Sequence, residues 1–339
     1  MATIKDIAQK LGISPSTVSI VLRGEGKKRN ISQSTIEKVF SCAHELGYQP
    51  NIVAKRLREI DSPASYTIAV FWTSDFRAPM LVRFLRGLQK AIEESELDIE
   101  FFIRQYKNDC LNMTLTENML NMFHGAIVCN ASEKDIAYID NATFFKPIVL
   151  YNRPSPKYSA VTIDNRSVGK IAAGEFKKHG CHSTCVITSE SVFAGMLERT
   201  DSFLAESQRL SMEPAHTILV GNSIKGGYEG AKKLLDSSFL PDAIFCASDA
   251  IAIGVLYALK EASVEVPDKV KLISVGNGDR ETEEFTHPPL SVVYIPIEEM
   301  AFNCLRLLTA QFPLSIETPK QEVVIETPYI PRDTCPKTN

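Results

Sequence analysis

The sequence predicts a small all-α head followed by a larger α/β core with two parallel sheets. Residues up to about 49 show helical periodicity only, whereas from Tyr66 onward apolar strand-like runs alternate with amphipathic helical segments. Ten such runs are many for one open sheet, so two side-by-side, doubly wound subdomains are expected. The 339 residues, 44% hydrophobic and 23% charged, suffice for these folded units and are typical of a globular protein.

The first two helices of the head are predicted from an apolar stripe, a stop signal and a start signal. The first stripe has helical spacing and consists of Ile4, Ile7, Ala8 and Leu11. Gly12 ends this helix, and Ser14 then caps a second helix in which Pro15 takes the first position. Such a tight turn is typical of a helix-turn-helix, which reads DNA. The alternative is an ordinary three-helix cap on a larger domain.

A third helix and a charge imbalance favour the DNA-binding interpretation. Ser32 is a plausible cap, Gly47 a stop, and the apolar stripe between them consists of Ile36, Val39, Phe40, Ala43 and Leu46. Residues 1–60 hold ten Lys or Arg against five Asp or Glu, whereas the whole chain has a net charge of −4. A basic head on an acidic body is expected if only the head meets a polyanion.

The eight cysteines indicate a reducing compartment. None forms a C-x-x-C pair, and most lie in apolar runs, as small buried side chains do. The N-terminus has the pattern of an amphipathic helix rather than of a secretion signal, and no apolar run is long enough to span a membrane. We therefore expect a cytoplasmic protein without a membrane partner.

Two segments outside the three helices have expected roles: a basic loop contacts DNA phosphates, and a later segment links the head to the core. The loop of residues 23–30 holds two glycines and four basic side chains, and the alternative for it is a solvated surface loop. Residues 51–58 could form a short basic helix, too brief to be stable alone, before a linker that contains Pro63. The expected domains are a head over 1–49, a hinge and linker over 50–65, and a core over 66–333.

Specific sequence motifs in residues 2–58 resemble the head and hinge of the LacI/GalR family of bacterial transcription regulators. The carriers of the resemblance are Thr3-Ile4-Lys5-Asp6-Ile7-Ala8, Val18-Ser19, Glu45-Leu46-Gly47-Tyr48-Gln49-Pro50-Asn51, and Val53-Ala54 followed by Leu57. The resemblance implies that Pro15, Ser16 and Ile20 contact bases in the major groove. It also implies that Leu57 of paired hinge helices inserts into the minor groove and kinks the operator.

The DNA-binding residues expected from the motif and the basic loop are Thr3, Pro15, Ser16, Thr17, Ser19, Ile20, Lys28, Arg29, Asn30, Tyr48, Asn51, Ala54, Lys55 and Leu57. Ile20 departs from the family, which often has a polar or basic side chain there. An aliphatic group cannot donate to guanine but can contact a thymine methyl. Much of the affinity is therefore expected from phosphate contacts, Leu57 and operator deformability.

The core resembles the periplasmic-binding-protein-like core of the same family over essentially its whole length. The matching stretches are Val161-Thr162-Ile163-Asp164-Asn165 with Gly169, Ser248–Gly254, and Ile273-Ser274-Val275-Gly276. The family pattern implies that the chain crosses between subdomains near Asp164, Tyr294 and Pro319. The expected N-subdomain is thus 66–164 with 294–319, and the C-subdomain is 165–293 with 320–333.

A small-molecule effector is expected in the cleft between the subdomains, at the carboxyl ends of the strands. The candidate contacts are Trp72, Phe76, Arg199, Ser248, Asp249 and Asn277. The alternatives are a core position for Trp72, a helix cap for Asp249 and a surface position for Arg199. Where the family often has an acidic residue and an aromatic, this chain has Gly278 and Asn222-Ser223. A standard hexose is therefore in doubt, and a phosphorylated or carboxylated ligand, or a protein co-repressor, stays open.

No catalytic motif, metal site or cofactor site is recognisable. His179 and His182 flank a helix end without acidic or cysteine neighbours, and no phosphate-binding or nucleophile motif occurs. The polar tail after Pro331 contains no leucine heptad, so a homodimer is expected. The leading hypothesis is a repressor that binds a pseudo-palindromic operator under allosteric control by a sugar-like molecule. A solute receptor for a transporter and a sugar-processing enzyme are the alternatives, against which the basic head and the lack of a catalytic constellation argue.

Overall fold

The computed structural model of the chain describes residues 4–22, 26, 29, 31–46, 65–75, 77, 80–191, 193–237, 240–312 and 319–338. It divides into two compact units, Met1–Pro63 and Ala64–Asn339. Each unit is described separately.

The first unit is the three-helix head, with α1 at Ile4–Leu11, α2 at Pro15–Leu22 and α3 at Gln33–Glu45. Ser14 Oγ accepts a hydrogen bond from Thr17 N at 3.0 Å, and Ser32 Oγ accepts one from Thr35 N at 3.2 Å. Both predicted caps are therefore confirmed. Gly12 ends α1 with a φ of +64°, a conformation that glycine adopts without strain.

Buried apolar side chains from all three helices form the core of the head: Ile7, Ala8, Val18, Val21, Val39, Cys42 and Ala43. Phe40, which the stripe of α3 was expected to turn inward, is instead 48% exposed. Val39, the neighbouring residue of α3, is buried instead, so the buried stripe of this helix is narrower than predicted.

The second unit contains two six-stranded sheets. Its strands are β1 Tyr66–Thr73, β2 Ile99–Tyr106, β3 Gly125–Cys129, β4 Ile148–Tyr151, β5 Ser159–Ile163, β6 Ser183–Thr188, β7 Glu213–Leu219, β8 Ala243–Cys246, β9 Lys271–Gly276, β10 Ser291–Tyr294, β11 Glu322–Ile325 and β12 Tyr329–Ile330. Its helices are α4 Met80–Glu94, α5 Glu117–Leu120, α6 Glu133–Asn141, α7 Asn165–Lys178, α8 Ala194–Arg209, α9 Ile224–Asp236, α10 Asp249–Glu261, α11 Arg280–Glu284 and α12 Ile297–Thr309.

The sheet topology confirms the doubly wound architecture. The first sheet has the order β11-β5-β4-β3-β1-β2 and the second the order β12-β10-β9-β8-β6-β7. All pairings are parallel except that of β12 with β10. Strands β3, β4 and β5 are buried along their whole length, as expected for parallel strands covered by helices on both faces.

The chain crosses between the sheets three times, and the third crossing differs from the prediction. The first two follow β5 and β10, close to Asp164 and Tyr294 as expected. The third was expected near Pro319 but lies between Ile325 and Tyr329, because β11 joins the first sheet beside β5. Val323 pairs there with Val161, which keeps residues 322–325 in the N-subdomain.

The predicted end of the core at residue 333 is also too early. Thr334 and Cys335 are fully buried, and Ser291 N donates to Thr334 Oγ1 at 2.8 Å. Among the described residues, no helix is long and apolar enough to cross a membrane.

Candidate functional site

The surface of α2 carries the predicted base-contacting residues. Pro15 and Ser16 are exposed, and Ile20 is half-buried, whereas Val18 and Val21 pack into the head. Thr17 and Ser19 are also half-buried, and Arg29 of the basic loop is exposed. The remaining predicted contacts lie outside the described residues: Thr3, Lys28, Asn30, Tyr48, Asn51, Ala54, Lys55 and Leu57, and with them Phe76 of the core. The DNA contacts of all these residues stay predictions.

A cavity of about 30 Å³ lies between the two sheets of the core, where several strands end. Three arginines and four asparagines line it, and no Asp or Glu does so among the described residues. These side chains are Arg77, Arg153, Arg199, Asn130, Asn152, Asn222 and Asn277. Both sheets contribute, so a molecule in the cavity would contact both subdomains.

The first sheet supplies two asparagines with an unusual backbone. Asn130 follows β3 with a φ of 63°, and Asn152 follows β4 with a φ of 52°. Asparagine is one of the few residues with a side chain that tolerates this left-handed region. Among the described residues, the side-chain Nδ2 of Asn130 and Oδ1 of Asn152 are buried without a hydrogen-bond partner. Backbone strain and unpartnered polar groups at one place are typical of a binding site.

Arg153 is the most unusual group in the cavity. It is 4% exposed, donates through Nε to Ala131 O and through Nη1 to Asn152 O, and stacks on Phe193 with its guanidinium carbon 3.6 Å from the ring centre. Its Nη2 is buried and has no hydrogen-bond partner in the described part of the chain. Burial, together with the charge of Arg77, lowers the pKa of Arg153 to about 9.

Arg77, unlike Arg153, is paired with a carboxylate. Its Nη2 lies 2.5 Å from Asp75 Oδ2, and its Nη1 donates to Asn130 O at 2.9 Å. Although burial of the carboxyl opposes the change, the hydrogen bonds and charge of Arg77 lower the pKa of Asp75. Arg77 is therefore neutralised within the protein.

Arg199 and Asn277, both predicted from the sequence, do line the cavity. Arg199 extends from α8, is 7% exposed and donates through Nε to Asn165 Oδ1 at 2.9 Å. Burial lowers its pKa to about 10. Arg199 is therefore a buried cation whose hydrogen-bond partner is neutral.

Three other predicted contacts are not on the wall of the cavity. Trp72 is buried in the core of the first subdomain and packs on Phe84 and Tyr151 at ring-centre distances of 5.2 and 6.3 Å. Ser248 caps α10 by accepting from Ile251 N, and its hydroxyl donates to Asn222 Oδ1 at 2.6 Å. Ser248 thus orients a residue of the cavity without lining it.

Asp249 occupies the first turn of α10 and is buried beside Gly278. Burial raises the pKa of Asp249 to about 6. A Cβ atom at position 278 would approach Asp249 Oδ2 to 1.7 Å. Position 278, where the family often has an acidic residue, is therefore a glycine that leaves room for the carboxylate of Asp249.

Sequence reasoning missed Arg77, Arg153, Phe193 and the asparagines at positions 130 and 152. The available signal was position, because Asn130 follows the strand that ends at Cys129, and Asn152-Arg153 follow Tyr151. The first residues after parallel strands are where ligands bind in such sheets.

A helix-turn-helix head and a core with a polar cavity between two parallel sheets together define a class of DNA-binding transcription regulators. Residues 3–51 match the bacterial regulatory proteins of the lacI family, and residues 173–335 match the periplasmic binding protein-like domain. The HTH-type transcriptional repressor MelR of Bacillus subtilis (strain 168) is 27% identical over 351 residues, which cover 99% of this chain and 98% of that relative.

Solved structures agree with this assignment. The LacI family transcription regulator from Clostridium acetobutylicum is 36% identical, and the match covers 79% of this chain and 100% of that chain with a TM-score of 0.75. The lac repressor dimer bound to operator and the anti-inducer ONPF shares the fold, with 18% identity over 99% of both chains and a TM-score of 0.71. The chain therefore belongs to the LacI family of bacterial transcription regulators.

Proposed function

We propose that this regulator is a cytoplasmic, non-enzymatic repressor that binds a pseudo-palindromic operator as a homodimer under the control of a small polar, sugar-like molecule. The observation that carries the proposal is the cavity, which residues from both sheets line. Three buried polar atoms of its wall, Asn130 Nδ2, Asn152 Oδ1 and Arg153 Nη2, have no hydrogen-bond partner among the described residues. The solved lac repressor, a dimer bound to operator and an anti-inducer, supports the dimer and the small molecule.

Control of DNA binding follows from the position of the cavity between two subdomains. A space of about 30 Å³ holds about two water molecules, so a larger ligand must change the separation of the walls. Glu133 Oε1 accepts from Ala194 N at 3.0 Å and thereby joins the first subdomain to the N-terminus of α8. A ligand that binds more tightly at one separation shifts the population of the protein toward that conformation. The affinity for the ligand and the affinity for operator are then reciprocally coupled.

The DNA-binding half of the proposal is tested with an operator selected from random duplexes. We expect the affinity for that operator to fall with salt and to fall about tenfold in Ser16→Ala, as one lost base contact implies. Ser34→Ala is the matched control, because Ser34 is an equally exposed serine on α3 of the same head. The absence of any selected sequence would refute the proposal.

The hinge half is tested separately with Leu57→Ala. We expect weaker operator binding in a gel-shift titration and a nearly unchanged affinity of the core for its ligand, because an apolar wedge acts only on DNA. An operator affinity equal to that of the parent protein would show that the hinge hypothesis is wrong.

Sedimentation should give a particle of twice the chain mass of 37.6 kDa.

A further inference from the structure

We infer that the ligand of the cavity is an acidic sugar, whose anionic group is bound between Arg153 and Arg199. The inference rests on the proposed function, since it names the class of molecule that the same cavity binds. A carboxylate and a phosphate share the required chemistry.

The charges on the wall of the cavity are unbalanced. Of its three arginines, Arg77 is paired with Asp75. Arg153 hydrogen-bonds to two backbone carbonyls and Arg199 to an amide, and neither forms an ion pair with a carboxylate of the described chain. Both remain protonated at neutral pH, because their pKa values stay near 9 and 10. The carboxylate of Glu133 acts on Arg153, and that of Glu198 on Arg199, through space. A buried charge without a hydrogen-bonded counter-ion is unfavourable, so an anion is the expected complement.

The guanidinium of Arg153 is held in a fixed position. Its Nε and Nη1 are occupied by Ala131 O and Asn152 O, and Phe193 covers one face of its guanidinium plane. Nη2 is then the buried donor left without a partner. A guanidinium fixed in this way is suited to carboxylate or phosphate oxygens, to which charge-assisted hydrogen bonds are short and strong.

The remaining polar groups of the cavity are suited to hydroxyl groups. A neutral sugar offers many hydroxyl donors, which are best satisfied by carboxylate acceptors, yet no Asp or Glu lines the cavity among the described residues. The amides of Asn130 and Asn152 can each donate and accept, which suits hydroxyls without adding negative charge. A polyhydroxylated molecule that carries its own negative charge fits this combination.

The test uses the full chain and matched pairs of sugars in calorimetric titrations and thermal melts at constant ionic strength. The acidic probes are glucuronate, galacturonate and glucose 6-phosphate, and the neutral probes are glucose and galactose. We expect at least one acidic probe to bind ten times more tightly than its neutral counterpart and to raise the melting temperature. Binding of the sugar phosphate alone would assign a phosphate, and binding of a uronate would assign a carboxylate.

The variants connect binding to the arginine. Arg153→Gln should abolish binding of the acidic probe, and Arg153→Lys should weaken it, because lysine retains the charge but not the planar donor edge. Arg306→Gln, an exposed arginine on α12, is the charge-matched control and should bind as the parent does. If Arg153→Gln fails to fold by circular dichroism, the Arg153→Lys titration decides.

The inference is overturned if no acidic probe binds, if a neutral sugar binds equally well, or if the variants of Arg153 bind like the parent. Operator binding by the head would be unaffected by each of these results. Failure of the inference is thereby distinguished from failure of the proposed function, which the gel-shift experiments measure.

Discussion

Two buried arginines of the core, Arg83 and Arg153, have contrasting surroundings. Arg83 on α4 donates to Glu298 Oε1 at 2.7 Å, to Glu298 Oε2 at 2.6 Å, to Tyr294, and to the carbonyl oxygens of Gly278 and Ile295. Arg153 has two carbonyl partners, no carboxylate partner among the described residues and an unpartnered Nη2. Both are at most 4% exposed.

The difference appears in the ionisation of the two groups. Burial acts against the charge in each case, yet the hydrogen bond to Glu298 raises the pKa of Arg83 above its ordinary value. Burial lowers that of Arg153 to about 9. The fold therefore compensates the charge of Arg83 by an ion pair, whereas Arg153 has no carboxylate partner in the part of the chain that the structure describes. Burial alone does not distinguish a structural arginine from a ligand-binding one; the counter-ion does.

The largest expected effect is at Arg83. Arg83→Met should lower the free energy of unfolding by about 2–3 kcal/mol, because the partly exposed Glu298 would lose its counter-ion and buried Tyr294 its hydrogen-bond donor. Urea denaturation measures the change, with Arg86→Met as the control, since Arg86 is exposed on the same helix and should change stability by less than about 0.5 kcal/mol. If Arg83→Met lowered the free energy of unfolding by less than about 1 kcal/mol, the proposed contrast between Arg83 and Arg153 would be wrong.

A smaller effect is expected from Asp249, near the Arg83 cluster. Its pKa of about 6 in the folded protein lies above the ordinary 3.8, so its protonated form stabilises the fold and this contribution is lost as the pH rises through 6. In Asp249→Asn the contribution is absent, so the stability of the parent relative to the variant should fall by about 1–2 kcal/mol between pH 5 and 7.5.

Denaturation of both proteins across this pH range tests the prediction for Asp249. Burial and the charge of Asp249 also raise the pKa of Glu283 to about 7, so the variant should lower the pKa of that neighbour as well. Asp236→Asn is the control, because Asp236 is exposed at the end of α9. A difference between parent and Asp249→Asn that does not change with pH would contradict the burial of the Asp249 charge.

The smallest effect on stability is expected at Arg153 itself. Without ligand, Arg153→Gln should change the free energy of unfolding by less than about 1 kcal/mol, because removing an uncompensated charge offsets the loss of two hydrogen bonds. The same urea measurement applies. A loss comparable to that at Arg83 would mean that the charge of Arg153 is already compensated within the protein.

Features that depend on local chemistry could be predicted from the sequence. The caps at Ser14 and Ser32 and the stop at Gly12 lie within a few residues of the helices they begin or end. The alternation of apolar strands and amphipathic helices indicated the two sheets, and the family resemblance indicated Arg199 as a cavity residue. Each of these signals is contained in a short window of the chain.

Which charges are compensated depends on contacts between residues that are distant in the sequence. Arg83 and Glu298 are 215 positions apart in the chain, and Ala131 and Arg153, whose groups hydrogen-bond, are 22 apart. The same holds for β11, whose short run Glu322–Ile325 acquires its place by pairing with β5, and for Trp72, which is enclosed by Phe84 and Tyr151. Charge pairing and burial depend on distances in space, and a linear pattern specifies these only after the sheets have assembled.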